Sequence, residues 1–533
     1  MGCYSAILTS AILLLITPGL IPSGWANRHA VAMRRMAIFL AATSFTLIVC
    51  GVALLLKFGP MERNAAIESS TSLLGSGFYW DALSATMALL IGAVGWTILG
   101  FACRNLDGEA TQGRFLRWTL FTLGSVLMLV VSGNLLVVLF AWTLTSFGLH
   151  QLLRHYGDRN WAVWTARKKF VISRLGDLFL LAAIWLTYHE FGSFGFAEIF
   201  ASADHARRMG DATWSITIIS TLYVLGAMTK SAQFPFHTWL PDTLETPTAV
   251  SALMHAGIIN AGGFLIIRLS PVVSLSPVAL GFLAFVGGFT ALLGGVMMLT
   301  QSSIKRQLAY STIAQMGFMM LQCGLGAFST AMLHLVAHSI YKAYAFLRSG
   351  SALEEAGRTD PKLLTDRKLS FRLAATAGAI LVSAVICTAI AWLFQLDLTQ
   401  KSGGLVLGIV LVLALATLLV RSFATGSMQI SLQSVGIATL VAGCYFAAFI
   451  AMNAWLGTSV AHPSPGDTLT QAFSIVPLSI GFVGLFALES ILSWTERNRM
   501  LQIFYVHSLN GFYLDIPARR LTGIFWARFN PVP

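Results

Sequence analysis

The chain has 533 residues, 56% of them hydrophobic and 11% charged, with a formal net charge of +12. Soluble domains are about 25% charged, so one large bundle in lipid fits better than two or more soluble domains. The Lys and Arg residues lie between apolar runs rather than on one clustered face, which excludes nucleic-acid binding as the reason for the basic balance.

Apolar runs long enough to cross about 30 Å of hydrocarbon as helix recur about 15 times. They lie near 4–22, 36–57, 80–102, 115–132, 134–153, 169–189, 214–240, 248–268, 276–299, 304–323, 328–350, 371–395, 403–421, 433–456 and 473–495. The first has no basic n-region and reads as a retained helix, not a signal peptide. The cysteines Cys3, Cys50, Cys103, Cys323, Cys387 and Cys444 are scattered without metal-ligand spacing, so neither a disulfide frame nor a metal site is expected.

Basic residues gather after odd-numbered runs. Arg28, Arg34 and Arg35 follow the first; Arg104, Arg114 and Arg117 the third; and Arg154, Arg159, Arg167, Lys168 and Lys169 the fifth. Arg358, Lys362, Arg367, Lys368 and Arg372 follow the eleventh, and Arg497 and Arg499 the fifteenth. The positive-inside rule then puts the N-terminus outside and the C-terminus in the cytoplasm of an inner-membrane, multi-pass protein. Residues 1–495 form the transmembrane domain and 496–533 a cytoplasmic tail. The tail mixes Phe504, Tyr505, Phe512, Tyr513, Phe525 and Trp526 with Arg519, Arg520 and Arg528, which suits an interfacial segment or a docking surface.

Ionisable residues inside apolar runs are costly unless paired or hydrated, so each is a functional candidate. Lys230 lies in Lys-Ser-Ala-Gln-Phe-Pro, and Pro235 five residues later should break the helix. A broken helix beside a buried amine exposes polar backbone to a water-filled cavity, a transporter design. Desolvation eases proton release from an amine, as a relay needs. The alternative is a lysine snorkelling to the interface.

His334, His338 and Lys342 are spaced i, i+4, i+8 and share one helix face, forming a proton wire. The bland alternative is two satisfied core histidines; zinc lacks a third ligand. His255 follows the broken helix and joins the path, or is structural. Lys305, near the start of its run, either joins the path or snorkels. Arg174 and Asp177 pair three apart on one helix, as charge compensation or to tune Lys230. Asp81, Glu354 and Glu489 carry no assigned role.

Several segments resemble the proton-translocating membrane subunits of respiratory complex I (subunit 5 of NADH–quinone oxidoreductase) and Mrp-type antiporters. They are Ser-Arg-Leu-Gly-Asp (173–177), Lys-Ser-Ala-Gln-Phe-Pro (230–235), Thr-Trp-Leu-Pro-Asp (238–242) and Pro-Thr-Ala-Val-Ser-Ala-Leu-Met-His-Ala (247–256), with Ile-Lys-Arg-Gln-Leu-Ala-Tyr-Ser-Thr (304–312) and His-Ser-Ile-Tyr-Lys-Ala (338–343). The resemblance implies an all-α polytopic fold of two inverted five-helix repeats with helices 7 and 12 broken. It also implies a proton path through Lys230 and Lys342 with His255, His334 and His338. Three features depart from that pattern. Ala141-Trp142-Thr143 stands where the family has a glutamate after Trp. Asp397 and Lys401 are the nearest ionisable residues to the helix 12 exit, and no further apolar run follows 495.

Trp-Thr-Leu-Thr-Ser-Phe-Gly-Leu-His-Gln-Leu-Leu (142–153) and Tyr-Val-His-Ser-Leu-Asn-Gly-Phe-Tyr (505–513) resemble the DabB-type membrane subunits of two-component inorganic carbon transporters. That resemblance implies a cytoplasmic DabA-like partner holding the zinc, with no cofactor in this chain. H+ or Na+ flux through the membrane subunit would energise CO2 hydration and bicarbonate accumulation in the partner. The chain itself would be a transporter subunit, not an enzyme. Tyr505, His507, Asn510, Phe512 and Tyr513 would be the docking residues. The alternatives are a proton-pumping subunit of a complex I or hydrogenase-like machine, and a Mrp-type cation/proton antiporter subunit.

Overall fold

The computed structural model describes residues 2–60, 77–210, 213–350, 369–396, 404–461, 468–492 and 499–526. Glu354, Arg358, Lys362, Arg367, Lys368, Asp397, Lys401, Arg497 and Arg528 lie outside the described residues. The described fold is helical; the isolated bridges Phe78–Ser132 and Asn134–Gly195 tie neighbouring helix ends.

The helices run in chain order as α1 (Gly2–Ile16), α2 (Ala30–Phe58), α3 (Ala82–Asn105), α4 (Gln112–Val131), α5 (Leu135–Leu153), α6 (Asn160–Phe191), α7 (Phe196–Met209), α8 (Trp214–Lys230), α9 (Thr248–Ala256) and α10 (Ala261–Arg268). They continue as α11 (Pro277–Thr300), α12 (Ile304–Gly324), α13 (Phe328–Arg348), α14 (Leu369–Leu393), α15 (Gly404–Thr425), α16 (Met428–Leu456), α17 (Thr468–Leu492), α18 (Arg499–Leu509) and α19 (Asp515–Trp526). Each of the fifteen apolar runs coincides with a helix or a broken pair. Among the described residues, eleven stretches are long and apolar enough to cross a membrane. The runs at α8, α12, α13 and α17 fall outside that set. α8 is 17 residues long, and α12 and α13 carry Lys305, Arg306, His334, His338 and Lys342. In α17 the apolar stretch is Val476–Glu489.

Polar residues set several helix starts. Asp81 accepts from the Ser84 amide at 2.9 Å, and Asn134 from the Leu136 amide at 2.8 Å. Thr213 and Ser276 cap α8 and α11 in the same way; each supplies an acceptor to a first-turn amide that has none within the helix. α7 is an amphipathic helix that burial patterning along apolar runs does not reveal. It buries Phe196, Ile199 and Ala203 on one face.

α1 to α13 enclose one continuous core, and Ala379, Ile386, Leu415, Leu419, Ala438 and Phe446 form a second cluster among α14, α15 and α16. Large apolar side chains such as Trp185, Phe285, Trp392 and Leu440 face outward, as a lipid-facing shell requires. Small residues bring backbones together. A Cβ on Gly176 of α6 would lie 2.1 Å from the Thr229 hydroxyl of α8, so only glycine allows this approach.

Two sequence expectations change here. α6 begins at Asn160, not near 169, so Lys168 and Lys169 are buried helix residues and not loop residues. Their exposures are 0% and 3%. Asp81 also gains a role. Arg268 grips it bidentately at 2.7 and 2.8 Å, with both side chains no more than 2% exposed. Arg268 also donates to Ser84 at 2.5 Å and lies over the Tyr79 ring. The pair fastens the end of α10 to the start of α3.

Candidate functional site

The local sequence ends α8 at Lys230 itself, earlier than Pro235 suggests. Ala232 takes a left-handed backbone (φ 48°), and two short 3-10 turns, Phe236–Trp239 and Thr243–Glu245, carry the chain to α9. Pro235 donates no backbone hydrogen bond, which keeps this stretch from closing into α-helix. Gln233, His237, Thr238 and Trp239 are buried here, each with a side-chain polar atom lacking a protein partner.

Lys230 is 5% exposed, and its ammonium makes three hydrogen bonds, the most it can donate. It donates to the Trp142 carbonyl at 3.0 Å, the Thr145 hydroxyl at 2.6 Å and the Ser146 hydroxyl at 3.0 Å. The amine also lies 4.3 Å from the Trp142 ring centroid, within cation–π range. All three acceptors are neutral oxygens from one turn of α5. Thr143 turns away and donates to the Leu139 carbonyl at 3.0 Å. The missing helix 5 glutamate is thus replaced by backbone and hydroxyls, not by another carboxylate.

A second amine completes this cluster. Lys169 of α6 donates to the Ser146 carbonyl at 3.1 Å. Two turns along α6, Asp177 pairs with Arg174 at 2.8 Å, and its carboxylate acts through space on both Lys169 and Lys230. His150, one turn beyond Ser146, faces the Ala166 carbonyl at 3.2 Å. Lys169, Thr145, Ser146 and His150 are functional candidates that sequence reasoning missed. One signal was present: Lys169, Ser173 and Asp177 are spaced i, i+4, i+8, the spacing that marked His334, His338 and Lys342.

The second cluster forms where α9, α12 and α13 meet. His255 stacks on Phe346 at 4.3 Å between ring centroids. Its Nδ1 lies 3.0 Å from the Thr312 hydroxyl, whose own proton goes to the Leu308 carbonyl, so the imidazole is the donor. Lys342 donates to the adjacent Ser311 at 2.8 Å. His334 and His338 lie 6.2 Å apart by ring centroid, and both ring nitrogens of the buried His338 lack a protein partner. Lys305 stands half-buried in the first turn of α12, six residues from Ser311 and about 9 Å along the axis. The structure does not bring it into the cluster.

The two clusters connect through paired helix breaks. The hydroxyl of Ser231, next to Lys230, donates to the Ile259 carbonyl at 2.6 Å. Ile259 lies in the 3-10 turn between α9 and α10. Asn260 then donates to Ser339 at 2.7 Å, one turn before Lys342 on α13. Sequence reading located the first break but not this second one.

The expected second break does not fall within α14, which is continuous from Leu369 to Leu393. Of the tail residues, Tyr505 donates to the Thr300 carbonyl at 3.3 Å, and Tyr513 packs edge-on against His507. His507, Asn510 and Tyr513 are exposed, and Phe512 is half-buried.

Residues 132–391 match the NADH:quinone oxidoreductase/Mrp antiporter transmembrane family, a stretch that contains both clusters. A probable inorganic carbon transporter subunit, DabB2 of Halothiobacillus neapolitanus, is 35% identical over 531 residues, covering 97% of this chain and 94% of its own. The chain belongs to the DabB family. A second member, the probable inorganic carbon transporter subunit DabB of Hydrogenovibrio crunogenus, is 34% identical over 89% of each chain. The chain also shares its fold with a subunit of the Mrp complex from a Dietzia species. There the TM-score is 0.56 at 21% identity, and the match covers 99% of this chain and 57% of the other. This DabB-family chain is therefore a multi-pass, antiporter-like membrane subunit.

Proposed function

We propose that the chain is the H+- or Na+-conducting subunit of a two-component inorganic carbon transporter. It energises CO2 hydration and bicarbonate accumulation by a DabA-like zinc partner at the cytoplasmic face. It lies in the inner membrane with its N-terminus outside and its C-terminus inside. Its relatives of 34–35% identity, both probable inorganic carbon transporter subunits, support the carbon assignment.

One observation carries the conducting role. Lys230 is buried where a helix breaks, held only by neutral oxygens, with a second amine on the same serine. Neutral acceptors leave an ammonium free to give up its proton, where a paired carboxylate would fix it. From Lys230 the route runs by Ser231, Ile259, Asn260 and Ser339 to Lys342, with His255 of α9 and His338 and His334 of α13 beside it. Asp177 and Arg174 set the field on the two amines. The zinc chemistry belongs to the partner; no step of it is assigned to this chain.

The test is ion-gradient-driven bicarbonate accumulation in membrane vesicles holding both proteins. Lys230→Ala and Lys342→Ala should each abolish it. Accumulation at wild-type rate in either variant removes the relay role. The shared fold with the Mrp complex subunit favours a second reading, a cation/proton antiporter without carbon chemistry. Gradient-driven ion exchange that persists, without carbon accumulation, after the partner is added would select that reading.

A further inference from the structure

Lys168 is fully enclosed, and both of its carboxylate partners come from distant parts of the chain. Its ammonium donates to Asp242, in the broken segment after α8, and to Asp515, the first residue of α19, at 2.5 Å for the latter. Arg519, one turn along α19, grips the other Asp515 oxygen. His237 of the broken segment and Tyr310 of α12 are within electrostatic reach of Asp515.

The rest of the tail is seated around this contact. Trp526 packs edge-on against Phe170 at 5.7 Å, and Arg519 lies over the Trp161 ring at 5.3 Å. Ser508 of α18 donates to the Val296 carbonyl at 3.2 Å. The tail is thus bound to the first turns of α6 and the end of α11. It is not a free arm.

Successive residues on a helix point about 100° apart. Lys168 therefore meets the tail while its neighbour Lys169 meets Ser146 beside Lys230. The start of α6 lies between the tail and the amine pair. Asp242 ties the broken segment to the same lysine. If α19 withdrew, Lys168 would keep one carboxylate in a site built for two. Removing one partner of a buried ion pair is strongly unfavourable, so α6 and the broken segment must readjust when the tail moves.

We propose that Asp515 is a positioning residue that couples the tail to the ion site. Seated on Lys168, it holds α6 in the register that places Lys169 and Lys230 together on Ser146. A partner that shifts the tail releases that register and so gates the ion path. This rests on reading the tail as the partner-bearing segment.

The test compares wild type, Asp515→Asn and Asp515→Glu, each co-expressed with the soluble zinc partner. Three quantities are read: partner co-purification, ion flux in vesicles with and without the partner, and carbon accumulation. The expected result for Asp515→Asn is a retained partner, an ion flux no longer dependent on it, and accumulation about tenfold lower, the scale of one lost charge-assisted hydrogen bond. Asp515→Glu should restore partner-dependent flux, which a merely structural role for Asp515 does not require. Partner-dependent flux at the wild-type level in Asp515→Asn overturns the proposal. So does wild-type flux indifferent to the partner, or loss of the partner from Asp515→Asn, which would make Asp515 a docking residue. If wild-type vesicles conduct ions under partner control but accumulate no carbon, the carbon reading fails while the flux comparison still decides the role of Asp515.

Discussion

Lys169 and Lys230 converge on a single serine: Lys169 donates to the Ser146 carbonyl at 3.1 Å and Lys230 to the Ser146 hydroxyl at 3.0 Å. Two ammonium groups at one residue repel, so a proton on one disfavours a proton on the other. In the proposed ion path such a pair would pass charge along instead of storing it. Asp177, already engaged by Arg174, supplies a nearby negative charge without binding either amine directly.

Lys169 should therefore act as a relay group and not as a topological charge. Lys169→Met is expected to lower ion flux about a hundredfold, the scale of losing one positioned proton-transfer group. Lys169→Arg is the sharper variant, because a guanidinium keeps its charge but does not release its proton. It should be as impaired as Lys169→Met. Flux measured in vesicles decides it, and a normally conducting Lys169→Arg would leave Lys169 a purely structural cation.

The link between clusters gives a second expectation. Asn260 lies in the turn between α9 and α10 and reaches Ser339 at 2.7 Å. Asn260→Leu keeps the volume but removes the donor. It should reduce flux about tenfold through loss of the link to Ser339, the bond to the Ala256 carbonyl going with it, while Lys230 and Lys342 stay intact. Unchanged flux would mean that the clusters work separately.

The Asp81–Arg268 pair makes a prediction about stability. Removing one partner strands a buried charge, at a cost of about 3–5 kcal/mol, whereas replacing both with apolar residues is often near neutral. Asp81→Leu and Arg268→Met should each lower the unfolding temperature in detergent sharply. The double variant should recover much of the loss, a non-additivity expected only of residues in contact. Additive losses would show that the two residues act independently.

How much of this was legible in the sequence follows from the range over which each interaction acts. Lys230, and the shared face of His334, His338 and Lys342, could be found because helical spacing is local. Lys169 was equally local, with Ser173 and Asp177 at the same spacing. It was obscured because five basic residues between 154 and 169 read naturally as a loop. The partners of Lys168 lie 74 and 347 residues away, and no periodicity points to either. Arg268 and Asp81 are 187 residues apart, so the buried aspartate could not be given a role from its own surroundings. The second helix break, at Gly257 to Asn260, contains no proline, and nothing in the apolar run from 248 to 268 signals it.

The tail gives the pH prediction. Burial pushes the Asp515 carboxyl up, but the Lys168 ammonium and the Arg519 guanidinium outweigh it and hold it below the usual carboxylate range. A carboxylate whose pKa is depressed when docked binds fewer protons docked than free. Its contribution to docking is therefore complete above the ordinary aspartate value, about 3.9, and is lost as the pH falls through the depressed one. Tail docking should be flat across neutral pH and weaken only under strongly acidic conditions. Hydrogen exchange over residues 499–526, or the fluorescence of Trp526 in a chain with its other tryptophans replaced, reads this directly. Asp515→Asn should dock more weakly at neutral pH, lose the acid-dependent step and converge with wild type in strong acid. Release of the wild-type tail between pH 5 and 7 would assign the switch to a group other than Asp515.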